Sequence, residues 1–144
     1  MKKLIPLEED EQATFCQWLD IIGVTYVAVG NENVWSGIIR ALVKNKAMAN
    51  RIISSIERKM KKLGKKKGFV DMILFFDGGI SVYIEMKRRK GGTLSHEQKD
   101  WQQRLKLLGF EAHVCKGAEE AIAVAEKYLP EGKRNISANQ GKLF

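Results

Sequence analysis

The sequence predicts a single α/β domain in which a small mixed β-sheet is flanked by helices. Helical and strand periodicities alternate along the chain in the order helix, strand, helix, two strands, helix, strand, helix. The two central strand patterns are separated only by Asp77-Gly78-Gly79, which is a strong signal for a hairpin turn. A length of 144 residues suits one domain with a sizeable core. We therefore expect one domain over residues 1–130 and a polar, flexible tail over 131–144.

The first part of the chain predicts a helix, a strand and a long helical region. The pattern favours a helix over 6–22 that ends at Gly23, then a strand over 24–29 and a loop over 30–33. Ser36 can cap a helical region over 36–63, and the pattern leaves open whether this region is one helix or two. The apolar stripes of these helices are Phe15, Trp18, Leu19 and Ile22, and then Ile38, Leu42, Ala49, Ile52, Ile56 and Leu63.

The rest of the chain predicts three strands and two helices. We expect strands over 69–76 and 80–86, then a basic, glycine-rich loop over 87–92. A helix begins at Ser95 and ends at Gly109. A strand over 110–115 and a helix over 118–129 follow, and Pro130 ends that helix. The expected inward-facing residues of the two helices are Trp101, Leu105 and Leu108, and then Ile122, Ala125 and Leu129.

The composition favours a nucleic-acid partner. The chain has 25 basic and 17 acidic residues, a net charge of +8, which favours polyanions such as nucleic acid or acidic lipid. No apolar run approaches the roughly 20 residues of a membrane span, so we expect nucleic acid and no membrane. The N-terminus turns acidic at once, unlike a signal peptide. Cys16 and Cys115 lack metal-type spacing and are expected to be buried, reduced thiols of a cytoplasmic protein.

One carboxylate interrupts the first central strand. Asp71 stands in an apolar run, where an ionised carboxylate is costly unless it is paired or binds a metal. Side chains alternate along a strand, so Glu85 and Lys87 share a face, and the hairpin can set Asp71 beside Glu85. Two such carboxylates suit Mg²⁺ and the hydrolysis of a phosphodiester. The alternative is that these charged residues stand at strand ends and face solvent.

Two basic segments flank these residues. They cover 58–67 and 87–90, and they predict either a track for the phosphate backbone or solvated charged faces. A polar, aromatic loop containing Asn31, Asn33 and Trp35 either contacts DNA or is an ordinary turn. The side chains expected to bind nucleic acid are Lys61, Lys62, Lys65, Lys66, Lys67, Arg88, Arg89 and Lys90.

Asp71 and the segment Ile84-Glu85-Met86-Lys87 resemble the signature of the PD-(D/E)XK nucleases. The wider pattern, from Glu8 to Leu129, resembles the VRR-NUC branch of that superfamily. Residues 64–71 are similar to its glycine-flanked entry to the acidic strand, and 92–101 are similar to its following helix. Val70 stands where the family usually has proline, a residue that shapes the backbone and carries no chemistry.

The resemblance implies a restriction-endonuclease-like core and Mg²⁺- or Mn²⁺-dependent hydrolysis of DNA. It implies that Asp71 and Glu85 are metal ligands, that the backbone carbonyl of Met86 is another, and that Lys87 is catalytic. It also implies a carboxylate from the first helix, for which Glu8 fits best because Gln12 lies four residues further on the same helix face. Glu11 is the alternative.

The resemblance places Gln98 near the metal site, whereas its position three residues after Ser95 fits a capping box. Both interpretations stay open.

The implied activity is that of a structure-selective endonuclease of a bacterial or phage-infected cell. Stand-alone members of the branch resemble Holliday-junction resolvases and pair as homodimers, which suits branched DNA. One alternative is a DNA-binding module with an inactive site. The other is a sequence-specific restriction-type enzyme, although the chain is short for a separate recognition domain.

Overall fold

A computed structural model describes residues 5–30 and 32–134 of the chain. Its elements are α1 (Glu8–Ile22), β1 (Thr25–Ala28), α2 (Glu32–Leu42), α3 (Lys46–Lys62), β2 (Met72–Phe76), a 3₁₀ turn (Asp77–Gly79), β3 (Ile80–Lys87), α4 (His96–Leu107), β4 (Glu111–Lys116) and α5 (Ala118–Glu126). The predicted fold class, a small mixed sheet flanked by helices, is confirmed.

The four strands form one sheet in the order β1-β2-β3-β4. Neighbouring strands are antiparallel from β1 to β3, whereas β4 runs parallel to β3 and is reached through α4. In the hairpin, Met72 lies opposite Ile84. This register places Asp71, the residue before β2, at the end of β3 that carries Glu85 and Lys87.

Each face of the sheet carries its own core. Alternation along β3 sends Val82, Ile84 and Met86 into the larger core, against α1 and α5. Tyr83 faces the smaller core, which Leu105 of α4 and Ala112 of β4 complete. The helical side chains of the larger core are Phe15, Trp18, Leu19, Ile22, Ala118, Ala121 and Ala125. Because one face of β3 is filled by apolar side chains, its two charged residues lie on the opposite face.

The helical region before β2 departs from the prediction. It forms two helices, and Asn45 caps the second by accepting a hydrogen bond from the backbone N–H of Met48 at 3.0 Å. The predicted loop over 30–33 is wrong at its end, because Glu32 already belongs to α2. Ser36 therefore lies inside α2 and does not cap it.

The apolar stripe predicted for this region is also largely wrong. Ile38, Leu42, Ile56 and Leu63 are all exposed, with Leu42 77% exposed. Ala49 is buried as predicted, and Ile53 is buried instead of Ile52. Helical periodicity marks an apolar face but does not show whether another element covers it.

Other boundaries shift by one to three residues. Helix α1 begins two residues after Pro6, and β2 begins at Met72 although the preceding backbone continues its ladder: Asp71 N–H donates to Ile84 O at 3.1 Å. The last helix ends at Glu126 before a turn. Leu108, which was predicted to be inward-facing, caps α4 and is 71% exposed.

Residues 131–134 form a helical turn that contacts the domain, since Lys133 Nζ donates to Gly23 O at 2.7 Å. The rest of the predicted flexible tail, 135–144, lies outside the described residues. Cys16 and Cys115 are free thiols, of which only Cys115 is fully buried. Among the described helices, none combines the length and apolar character that crossing a membrane requires.

Candidate active site

Two carboxylates meet where β2 begins and β3 ends. Asp71 is 8% exposed and Glu85 is 1% exposed. The backbone holds Asp71 on both sides, since its N–H donates to Ile84 O and its carbonyl accepts from Val29 N–H. Its side-chain Oδ2 accepts a hydrogen bond from the backbone N–H of Met86 at 2.8 Å. The predicted juxtaposition of the two acids is therefore present in the structure.

Lys87 provides a buried cation beside these acids. Its side chain is 7% exposed, and Nζ lies 2.7 Å from Glu85 Oε1 and 3.6 Å from Glu8 Oε1. Glu8 reaches the cluster from the first turn of α1 and is only partly buried. The cluster of Asp71, Glu85, Glu8 and Lys87 thus contains three carboxyl groups and one ammonium. It is called the catalytic cluster below, after the role that the family resemblance implies for it.

Gln98 joins the cluster from α4 and also caps that helix. Its Oε1 accepts from Ser95 N–H at 2.9 Å, and its own backbone N–H donates to Ser95 Oγ at 3.2 Å. This is a complete capping box. The remaining Nε2 donates to Glu85 Oε1. The two interpretations of Gln98 are therefore compatible, because the cap fixes one end of the amide and aims the other at Glu85.

Gly68 explains how the lysine-rich loop approaches α4. Its φ of +73° lies in the left-handed region, and a Cβ there would come within 2.6 Å of Glu97 Cβ. The loop is also tied to the helix by side chains, since Trp101 Nε1 donates to Lys67 O at 3.1 Å and Lys67 Nζ pairs with Glu97 at 3.1 Å. The glycine thus lets a basic loop lie along the edge of the catalytic cluster.

A groove of about 520 Å³ opens above the cluster. Its wall carries the three consecutive lysines Lys65, Lys66 and Lys67. A second groove of about 580 Å³, which includes Arg88, shares Glu8, Val29, Gly30 and Asp71 with the first. The remaining lining of the first groove is Gly64, Gly68, Phe69, Lys87, Ser95, Gln98 and Trp101. Asp71 and Glu8 therefore lie where a groove lined by three lysines meets a second groove that contributes Arg88 beside acidic side chains.

The catalytic cluster has more carboxyl groups than positive charges to balance them. Burial raises the pKa of Glu85 to about 7, and the neighbouring charge of Asp71 adds to this, although Lys87 acts in the opposite sense. Burial also raises the pKa of Asp71, against the lowering effect of the Met86 N–H and Lys87. Burial alone would lower the pKa of Lys87, but its contact with Glu85 raises it. A further cation would relieve this repulsion.

The donor atoms of the cluster fit a hard divalent cation. Asp71 and Glu85 offer carboxylate oxygens, and Mg²⁺ is usually held by one or two carboxylates together with waters and substrate phosphate. The N–H and C=O of one residue in a strand lie on the same edge of that strand. The Met86 carbonyl therefore shares the edge of β3 from which the Met86 N–H contacts Asp71. Across residues 5–30 and 32–134, no three His, Cys, Asp or Glu side chains converge as a metal site. Two carboxylates therefore fit a metal ion that takes its remaining ligands from water and phosphate.

Glu11, the alternative first-helix acid, belongs to a different cluster. Its carboxylate is 3% exposed and pairs with Arg89, whose Nε lies 2.5 Å from Oε1. Its Oε2 also accepts the backbone N–H of Ala118 at the start of α5, at 2.8 Å. Although burial acts to raise it, these partners lower the pKa of Glu11 below its ordinary value. The geometry thus brings Glu8, not Glu11, to the catalytic cluster.

Sequence reasoning missed this second cluster of Glu11, Arg89 and the Ala118 N–H. Gly117 permits it, because a Cβ there would lie 2.8 Å from Arg89 Cγ. The available signal was that Glu11 precedes Phe15 by four residues and so lies on the buried stripe of α1.

The predicted DNA-binding side chains have several different environments. Arg88 lines the second groove, whereas Arg89 is held by Glu11 and Glu119. Lys61, Lys62 and Lys90 are exposed beyond the grooves. The members that line the same grooves as Asp71 are therefore Lys65, Lys66, Lys67 and Arg88.

The sequence model of the VRR-NUC domain matches residues 9–119, which is most of the chain. The chain belongs to the VRR-NUC family. This confirms the predicted family, and it implies a nuclease, a hydrolase whose substrate is DNA. Comparisons with curated proteins and with solved structures gave no significant match. Nucleases of this kind are typically metal-dependent, which agrees with the oxygen donors of the catalytic cluster.

Proposed function

We propose that this VRR-NUC protein is a Mg²⁺- or Mn²⁺-dependent endonuclease that selects DNA by its structure. The observation that carries the proposal is the catalytic cluster: two almost fully buried carboxylates beside one lysine, next to a groove lined by three further lysines. A buried excess of negative charge costs stability, and such a cost is typical of functional sites. A module that only binds DNA would not need buried carboxylates of this kind.

Each residue of the cluster has a distinct proposed role. Asp71, Glu85 and the Met86 carbonyl would hold the ion, which supplies Lewis-acid activation of phosphate and water. Gln98 positions Glu85, because its amide is fixed by the cap of α4. Lys87 presents its ammonium at the same edge, where it can orient water or stabilise charge on the phosphorane. Glu8 lies 3.6 Å from that ammonium and helps to orient it.

The surroundings favour contact with the phosphate backbone over contact with base edges. Lysines along a groove neutralise phosphates without reading sequence, so binding depends steeply on salt. This supports selection by DNA structure. By the resemblance to junction resolvases, we further propose that the enzyme acts on branched DNA as a homodimer, with one catalytic cluster in each copy.

The test is cleavage of a substrate panel of four-way junction, flap, duplex and single-stranded DNA, with Mg²⁺, Mn²⁺ or EDTA. Asp71→Asn and Lys87→Ala should each lower cleavage by about 10²- to 10³-fold, which is typical for loss of a charge-stabilising group. Asp77→Asn is the matched control, because this acid lies in the exposed turn at the other end of the hairpin. Light scattering gives the oligomeric state of each variant.

Equal cleavage by wild type, Asp71→Asn and Lys87→Ala would remove the assignment of the site. Salt-sensitive binding of DNA without metal-dependent cleavage would favour the inactive binding module. A defined set of fragments from plasmid DNA would favour a sequence-specific enzyme.

A further inference from the structure

An apolar pocket lies between α2 and α3, outside the catalytic cluster. It has a volume of about 330 Å³. Its apolar lining residues are Trp35, Ile39, Ile53, Ile56 and Met60, and its polar lining residues are Ser36, Glu57 and Lys65. Trp35 is 61% exposed, whereas Trp18 is 2% exposed and Trp101 is partly buried. An indole ring exposed to this extent at the wall of an apolar pocket indicates a binding site, since burying it against a flat partner is favourable.

The pocket adjoins the first groove above the catalytic cluster. Lys65 lines both this pocket and the first groove. On the other side, Val34, the neighbour of Trp35 in α2, lines the second groove together with Asp71 and Arg88. The neighbouring residues Val34 and Trp35 thus line different depressions, and a DNA strand bound by Lys65 in the first groove would lie next to the pocket.

The chemistry of the lining selects the ligand. The volume of the pocket lies near the low end of the roughly 300–1,000 Å³ of small-ligand sites, which suits one planar group. The aromatic wall suits stacking, and the basic segment over 58–67 that ends beside it suits a phosphate. A nucleotide combines both features. An apolar segment of another protein would match the pocket but would leave the lysines unexplained.

We propose that this pocket receives a single unpaired base of the DNA substrate, stacked on Trp35, while Lys65 contacts the adjoining phosphate. The inference rests on the proposed function, because it takes DNA as the ligand of the neighbouring groove. Such a pocket would explain why the enzyme selects DNA by its structure. An end, flap or junction supplies an unstacked base at little cost, whereas in a continuous duplex a base must first be unpaired and unstacked.

The test is binding in EDTA, where metal-dependent cleavage cannot occur. Two labelled DNAs of equal length are compared by fluorescence anisotropy, one fully paired and one with a single-stranded overhang. Trp35→Ala should weaken binding of the overhang DNA about tenfold and change binding of the duplex much less, as expected for the loss of one stacked base. Trp35→Phe should restore most of the affinity, because it retains an aromatic face.

Leu42→Ala is the matched control, since Leu42 is 77% exposed on the same helix but does not line the pocket. A second readout is tryptophan fluorescence: overhang DNA should quench wild type more than Trp35→Phe. Thermal unfolding of each variant checks that it is folded.

The inference is overturned if Trp35→Ala and Leu42→Ala bind the overhang DNA equally. It is also overturned if Trp35→Ala halves the molecular mass without a selective loss of overhang binding, because the pocket is then an interface between copies. In both cases wild-type cleavage leaves the nuclease proposal standing. If wild type neither binds nor cleaves any DNA, both proposals fall.

Discussion

Helix α1 carries two acids in its first turn that enter clusters of opposite electrostatic character. Glu11 meets the Arg89 guanidinium and a backbone N–H, so its charge is matched and its pKa is lowered. Glu8 meets the catalytic cluster, where burial and mutual repulsion raise the pKa values of Asp71 and Glu85. A buried acid with its own partners stabilises the fold, whereas buried acids without sufficient positive charge indicate a place for a ligand.

The largest difference in stability between the two clusters should appear when a divalent cation is added. Mn²⁺ at a hundredfold excess over its Kd should stabilise wild type by about 2.7 kcal/mol, because it binds the folded chain and relieves the repulsion there. For a chain of this length the melting temperature should rise by roughly 8 °C. Thermal unfolding in EDTA and across a Mn²⁺ titration measures this shift.

Two variants make this test specific to the catalytic cluster. Glu85→Gln should abolish most of the Mn²⁺ shift while melting higher than wild type in EDTA, since it removes a repelling charge. Glu11→Gln should melt lower in EDTA yet keep the full Mn²⁺ shift. A Mn²⁺ shift of equal size in wild type and Glu85→Gln would show that the ion stabilises the chain elsewhere.

The second cluster, of Glu11, Arg89 and the Ala118 N–H, is expected to contribute less to the free energy of unfolding. Its contribution should be the same with and without a metal ion. Glu11→Gln should lower the free energy of unfolding by about 2 kcal/mol, because it leaves Arg89 without its buried partner and weakens the bond to Ala118. Cleavage per folded molecule should stay near that of wild type. Chemical denaturation measures the stability, and single-turnover cleavage measures the activity.

Glu119→Gln supplies the control, since Glu119 also pairs with Arg89 but is 81% exposed. It should change stability by less than about 0.5 kcal/mol. If both variants lose equal stability, the burial of Glu11 is not what makes its ion pair effective.

The two clusters also differ in how far the sequence could predict them. Alternation along β3 and the hairpin register were sufficient to bring Asp71, Glu85 and Lys87 together, because both are local. Glu11 and Arg89 are separated by 78 positions, and their contact depends on how α5 meets the end of β3. No periodicity encodes such a meeting of distant segments.

The same limit explains the errors before β2. The apolar spacing of Ile38 and Leu42 correctly indicated helix, but their exposure depends on what lies opposite, which the pattern does not contain. Likewise, Ser95 and Gln98 predicted a cap, whereas the second contact of Gln98, with Glu85, required the placement of α4 on the sheet.

The sign of the pH dependence of stability should also differ between the clusters. Glu85 has a folded pKa raised from 4.5 to about 7, so the folded chain binds its proton more tightly than the unfolded chain does. Its stabilising contribution is full below pH 4.5 and is lost as pH rises through about 7. Glu11 has a folded pKa below 4.5, so its contribution is present above that pH and is lost on acidification.

Melting temperatures in EDTA from about pH 3.5 to 8 separate these two contributions. The advantage of Glu85→Gln over wild type should grow as pH rises from 5 to 8, because only wild type acquires the repelling charge. The deficit of Glu11→Gln should be constant over that interval and should shrink below pH 4.5, where the unfolded wild-type chain begins to take up a proton on this carboxyl. Parallel curves for wild type and Glu85→Gln would mean that Lys87 already balances the buried acids, and the electrostatic case for a metal would then fail.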